Sequence, residues 1–104
     1  MNDILTALDE VLAARKQASA EDSYVASLNA AGLNKILEKV GEETTEVILA
    51  AKDSVETGNT EALTHEVADL WFHLMVMLRH LDLDHKTVLQ VLDERMGLSG
   101  LAEK

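Results

Sequence analysis

The chain contains no proline, and its apolar residues recur every third or fourth position instead of every second. A proline-free chain built largely from Ala, Leu, Glu and Lys has nothing to interrupt an i→i−4 hydrogen-bond ladder, and alternating β-branched runs are scarce. The pattern predicts an all-α fold. Ile4, Leu5, Leu8, Val11 and Leu12 share one helical face, which places a first helix over about Asp3 to Lys16. Ala18 to Asp22 reads as a loop. Asp22 or Ser23 caps a short helix ending at Asn29 or Ala30, with Gly32 as its left-handed stop.

The second major helix spans Asn34 to about Ser54, with Ile36, Leu37, Val40, Thr44, Val47, Ile48 and Ala51 as its stripe, and Gly58-Asn59 marks a turn. Thr60 is the expected cap of a third major helix, whose inner face carries Leu63, Val67, Leu70, Leu74, Leu78 and Leu81. Between Leu70 and Leu78, Trp71, Phe72, Met75 and Val76 fall off that stripe, so the segment is apolar nearly all round and requires partners on more than one side. A last helix, His85 to Arg95, offers Val88, Leu89, Val91 and Leu92 for packing ahead of a glycine-containing tail. The expectation is one domain over residues 1–104, a short bundle of about four to five helices completed by homodimerisation.

Composition narrows the partners. Nine basic against nineteen acidic residues give a formal charge of −10, which repels nucleic-acid polymers and anionic membrane surfaces. Leu70 to Leu78 is far shorter than the roughly 20 apolar residues that cross a bilayer, and Met1 to Leu5 lacks the features of a secretory signal. There is no cysteine, so any metal must sit on oxygen or imidazole, and a cytoplasmic location is expected.

The acids are distributed with a pattern. Glu42-Glu43-Thr44-Thr45-Glu46 and Glu66-Val67-Ala68-Asp69 each place carboxylates three residues apart on a predicted helix, about 5–6 Å between Cβ atoms and within reach of one ion. Such a pair alone is ordinarily a solvated face. Here both pairs border the apolar stripes of consecutive helices: Glu43 lies in line with Ile36 and Val47, Glu46 follows on the same flank, Glu66 lines up with Leu70 and His73, and Asp69 sits just outside. Antiparallel packing about the turn at Gly58 points Glu43, Glu46, Glu66 and Asp69 at one another, an arrangement that repels itself unless a cation neutralises it. Oxygen-only donors select Mg²⁺, or Mn²⁺, over zinc. Glu42 lies farther round toward solvent.

Lys35 and Lys39 precede Glu43 by two turns and one turn on the same flank. They are either cations for phosphate oxygens held by the same metal, or partners in helix salt bridges of Lys35 with Glu42 and Lys39 with Glu43. His73, one turn past Asp69, either orients a carboxylate, contacts substrate or is a satisfied core histidine. His65, His80 and His85 read as surface residues. With no Ser-His-Asp order and no glycine-rich phosphate loop, water is the remaining nucleophile.

These residues carry a resemblance through nearly the whole chain. Ser23-Tyr24-Val25-Ala26-Ser27-Leu28, Gly32-Leu33, Lys35-Ile36-Leu37-Glu38-Lys39-Val40-Gly41-Glu42-Glu43 with Glu46-Val47, Ala50-Ala51-Lys52, and Glu66-Val67-Ala68-Asp69-Leu70 with His73 resemble the phosphoribosyl-ATP pyrophosphohydrolases of histidine biosynthesis. The paired acidic motifs alone indicate the wider MazG-like all-α nucleotide pyrophosphatases; the Ser-Tyr segment and the two lysines narrow the resemblance. It implies Mg²⁺-dependent hydrolysis of the α–β phosphoanhydride of phosphoribosyl-ATP to phosphoribosyl-AMP and pyrophosphate, by a cytoplasmic homodimer without the fused cyclohydrolase of some members. It further implies that Glu43, Glu46, Glu66 and Asp69 ligate the metal, with Glu42 beside them as a further candidate ligand. Lys35 and Lys39 would lie near the phosphates, and Glu43 or Glu46 would draw the proton from the attacking water. Thr44 and Thr45 stand where small apolar residues are common. Two other readings stand beside this one: a pyrophosphatase of dUTP or other NTPs, and a non-catalytic helical dimerisation module whose acids are merely solvated.

Overall fold

A computed structural model describes residues 3–97. Five helices follow one another, α1 (Ile4–Lys16), α2 (Tyr24–Ala31), α3 (Leu33–Thr57), α4 (Thr60–His80) and α5 (His85–Gly97), and among the described residues there is no strand. The starts of α1, α2 and α4 are set by short polar side chains that take up otherwise unpaired N–H groups. Asp3 accepts from Thr6 N at 3.0 Å, Ser23 from Ala26 N at 3.1 Å, and Asn59, one residue ahead of the expected Thr60, from Ala62 N at 3.1 Å.

α2 and α3 meet without a loop. Gly32, at φ +103°, both ends α2 and opens α3, a corner that a β-carbon would disfavour. α3 ends at Gly58 in the left-handed region, and α4 returns against it as an antiparallel hairpin, the most extensive helix pair of the fold. α3 exceeds its expected bounds by one residue at its start and three at its end, since end turns lack apolar periodicity, whereas α4 begins one residue early and stops at His80, short of Leu81.

The core is small. Leu12, Val25, Leu28, Ile36, Met75 and Val76 are buried together, with Leu5, Leu8, Phe72 and Met77 against them. The stripes expected to face inward do so only in part. On α3, Ile36 is buried and Val40, Val47 and Ala51 half-buried, but Leu37, Thr44 and Ile48 are exposed. On α4, Leu63, Val67, Leu70, Leu74 and Leu78 are only half-buried and Leu81 is exposed, whereas His73, Met75 and Val76 are buried. Both helices carry apolar residues on two faces, and the fold of one chain covers one of them. Trp71 remains 57% exposed, and the α5 residues Val88, Leu89, Val91 and Leu92 are also exposed instead of packed. Trp71, Leu74 and Leu78 face Val88, Leu89 and Leu92 across an open apolar recess of about 310 Å³.

Polar clasps tie α1 and α2 to α4. Lys16 Nζ donates to the Arg79 and His80 carbonyls at 3.2 and 3.4 Å and pairs with Asp82 at 2.9 Å, a cation placed on the negative end of α4. His80 Nδ1 donates to Asn29 Oδ1 at 2.8 Å, and His85 is buried at the start of α5; neither is the surface residue that its sequence position suggests. Arg79 Nε donates to Asp9 Oδ1 at 3.0 Å and Nη2 to Oδ2, a bidentate pair. Replacing Arg79 with Ala strands a largely buried carboxylate, so the expected loss is about 2–3 kcal/mol. Thermal denaturation followed by circular dichroism should show a midpoint lower by on the order of 10 °C; an unchanged midpoint would make the clasp dispensable.

Candidate functional site

The α3–α4 hairpin brings the two acidic motifs together. Carboxylate oxygens of Glu43, Glu46 and Glu66 lie within 4.8 Å of one another. Spacing explains this: Glu43 and Glu46 are one helical turn apart on α3, and the antiparallel return carries Glu66 past them. Glu43 is only 8% exposed, on the same line of α3 as the core residue Ile36. Glu66 is half-buried and Glu46 exposed.

A carboxylate at the margin of an apolar core is costly unless neutralised. Burial, then the Glu46 charge and a hydrogen bond with it, then Asp69, push the Glu43 carboxyl above its ordinary range. Glu66 is pushed up as well, first by a hydrogen bond shared with Glu46, then by burial and the charges of Glu46, Asp69 and Glu43. Glu43 Oε2 is buried and, among the described residues, has no hydrogen-bond donor. An acceptor oxygen without a donor, beside two more carboxylates, has the chemistry of a hard-cation site.

The other acids sit differently. Asp69 is exposed and outside the three-carboxylate group, although its charge reaches both Glu43 and Glu66. Glu42 is exposed and turned to Lys39, 3.7 Å from its ammonium. Lys35 pairs with Glu38 at 3.3 Å. Both lysines therefore make i,i+3 pairs with partners other than those expected: Glu38 lies one turn from Lys35 where Glu42 lies two, and Glu43, in reach of Lys39, is buried.

Sequence reasoning gave no role to Tyr24. Its hydroxyl lies 2.9 Å from His73 Nε2, and His73 Nδ1 lies 2.8 Å from the Asp69 carbonyl. The Tyr24 ring stacks on Phe72 with centroids 6.5 Å apart. Tyr24 and His73 are 49 residues apart, so no local spacing could pair them.

From Glu46 and Glu66 a groove of about 620 Å³ runs toward the hairpin turn, past Leu49, Asp53, Asn59 and His65. Among the described residues its walls hold three acids, the Asn59 amide, the Thr57 hydroxyl, the His65 imidazole and aliphatic side chains, but no Lys or Arg. Among the described residues no helix is long and apolar enough to cross a membrane. A family model described as phosphoribosyl-ATP pyrophosphohydrolase matches residues 5–96.

Proposed function

Because the chain belongs to the phosphoribosyl-ATP pyrophosphohydrolase family, hydrolases of histidine biosynthesis, we propose that its acidic trio is the magnesium-dependent centre of that reaction. In this reading Glu43, Glu46 and Glu66 hold Mg²⁺, with Mn²⁺ as a substitute, and Asp69 joins them from the exposed side. The orphaned Oε2 of Glu43 carries the assignment: a buried acceptor with no donor is what a cation satisfies. Mg²⁺ when bound supplies neutralising charge to the polyphosphate and to the departing pyrophosphate.

The chain's own residues do the rest. Glu46, exposed beside the trio, takes a proton from the attacking water, while buried Glu43 stays a fixed ligand. Water adds at the α-phosphorus, the bond from that phosphorus to the α–β bridging oxygen breaks, and pyrophosphate leaves with phosphoribosyl-AMP as co-product. Lys39 and Lys35, on α3 before the trio, meet the phosphates, and Glu42 holds Lys39 in place. The groove toward the turn, without a cation, suits the uncharged nucleoside portion better than a phosphate. A second copy of the chain covers the recess around Trp71, making a homodimer. A cytoplasmic setting goes with a biosynthetic nucleotide substrate.

The test is product analysis of purified protein with phosphoribosyl-ATP, ATP and dUTP, each with Mg²⁺ and with EDTA. Mg²⁺-dependent pyrophosphate release from phosphoribosyl-ATP alone is expected. Release from dUTP or ATP instead would keep the centre and move the substrate. Release from none of them would leave only a helical dimerisation module.

A further inference from the structure

Phosphoribosyl-ATP differs from ATP at one atom of the base: N1 of its adenine carries the second ribose. An adenine substituted at N1 is a much stronger base than the parent ring. It takes a proton at N6 and becomes an amidinium, with positive charge spread over N1, C6 and N6, at pH values where the base of ATP is neutral. The nucleoside portion, uncharged in ATP, is therefore a cation in phosphoribosyl-ATP. A site that tells the two apart gains most from a negative charge within reach of N6.

The groove beside the trio holds such a charge. Glu46, Asp53 and Glu66 are the acids that line it. Glu46 and Glu66 belong to the trio as well, and Glu43, 8% exposed with its Oε2 lacking a donor among the described residues, marks the metal end of the groove in the proposed reaction. Asp53 is the carboxylate left over. It follows Glu46 on α3 by about two turns, roughly 10 Å along the axis and on the same face, a reach comparable with that from the α-phosphorus of a nucleotide to the far edge of its purine. Its backbone carbonyl accepts from Thr57 Oγ1 at 3.0 Å, but among the described residues no donor takes up its carboxylate. Asn59 Oδ1 is committed to Ala62 N at 3.1 Å, so the amide at the turn offers its amino group and does not compete for a cation.

We infer that Asp53 is a specificity-determining residue: its carboxylate accepts a charge-assisted hydrogen bond from N6 of the cationic base and so favours phosphoribosyl-ATP over ATP. The inference rests on the proposed reaction for the placement of the triphosphate at the trio, and its test does not require turnover. The probe is 1-methyl-ATP, which carries the cationic base without the second phosphoribosyl group. Its Mn²⁺ complex, Mn²⁺-ATP and Mn²⁺-pyrophosphate are titrated calorimetrically into wild type and Asp53→Asn at neutral pH. Wild type is expected to bind 1-methyl-ATP about tenfold more tightly than ATP, the scale of one charge-assisted hydrogen bond. Asp53→Asn should lose that preference and keep its affinity for pyrophosphate, which occupies only the metal end. Asp53 is exposed, so helical circular dichroism of the variant should match wild type. Equal affinity of wild type for 1-methyl-ATP and ATP would overturn the proposal, as would a preference that survives in Asp53→Asn, a loss of pyrophosphate affinity in that variant, or wild type that binds neither nucleotide. A preference that depends on Asp53 in a protein that does not hydrolyse phosphoribosyl-ATP would reject the reaction and keep the subsite; Mg²⁺-dependent hydrolysis without the preference would do the reverse.

Discussion

Turnover of phosphoribosyl-ATP is expected to fall by about 10²–10⁴-fold in Glu46→Gln, the usual worth of a positioned general base, with helical circular dichroism unchanged. Glutamine keeps the shape and removes both the base and one negative charge. Glu43→Gln tests the same centre from the other side. It should also lose activity, yet raise the melting temperature of the metal-free protein, because burial and Glu46 already press Glu43 toward its neutral form. Opposite movement of activity and stability at one residue is the signature of a functional buried charge. Retained turnover in Glu46→Gln would remove that residue from the chemistry, and a lower melting temperature in metal-free Glu43→Gln would show that its charge stabilises the fold.

The second large effect is on stability itself. Glu43 and Glu66 both bind their protons more tightly in the folded chain than at the ordinary value of 4.5. Above about pH 4.5 the unfolded chain therefore gives up these protons first, the folded chain binds more of them, and stability falls as pH rises through the raised range toward neutrality. Asp3, lowered by its bond with Thr6, and Asp82, lowered by Lys16, act with the opposite sign but only below 3.8, outside that window. Mg²⁺ should reverse the decline. At a concentration about 100 times its dissociation constant, binding to the folded state adds about 2.7 kcal/mol, which for a domain of this size raises the midpoint by on the order of 10–20 °C. Calorimetric scans in EDTA and in Mg²⁺ at pH 5 and pH 7.5 check this, with the larger Mg²⁺ effect at pH 7.5, where protons compete less. A midpoint indifferent to Mg²⁺ at both pH values would count against a metal at the trio.

Much of this architecture was legible in one dimension. Helix identity followed from the apolar period and the lack of proline, and the corner at Gly32 and the turn at Gly58 followed from glycine's access to positive φ. The convergence of Glu43, Glu46 and Glu66 followed from i,i+3 spacing plus an antiparallel hairpin. What periodicity could not decide was which of two apolar faces a single chain buries. Leu37 and Ile48 satisfy the helical period as well as Ile36 does, and only the positions of α1, α2 and α4 select between them. The same limit applies to polar pairs. Lys39 had acids at both i+3 and i+4 within reach, and Glu43 was withdrawn from it by burial. Lys16 on Asp82, Asp9 on Arg79, Asn29 on His80 and Tyr24 on His73 join residues dozens of positions apart, for which sequence carries no spacing signal.

The shared residue between α2 and α3 gives this fold an arithmetic of its own. Helix phase advances about 100° per residue, and Gly32 leaves no slack to absorb a change of length. One residue gained or lost between Tyr24 and Glu43 would swing the tyrosine around the bundle, away from His73, while the composition of the site stayed the same. The stretch from Gln17 to Asp22, outside any helix, has no such phase to keep. Length variation among related chains should therefore collect before Ser23 and be absent across Gly32, so that the distance from Tyr24 to Glu43, counted in residues, is as much a part of the site as the side chains themselves.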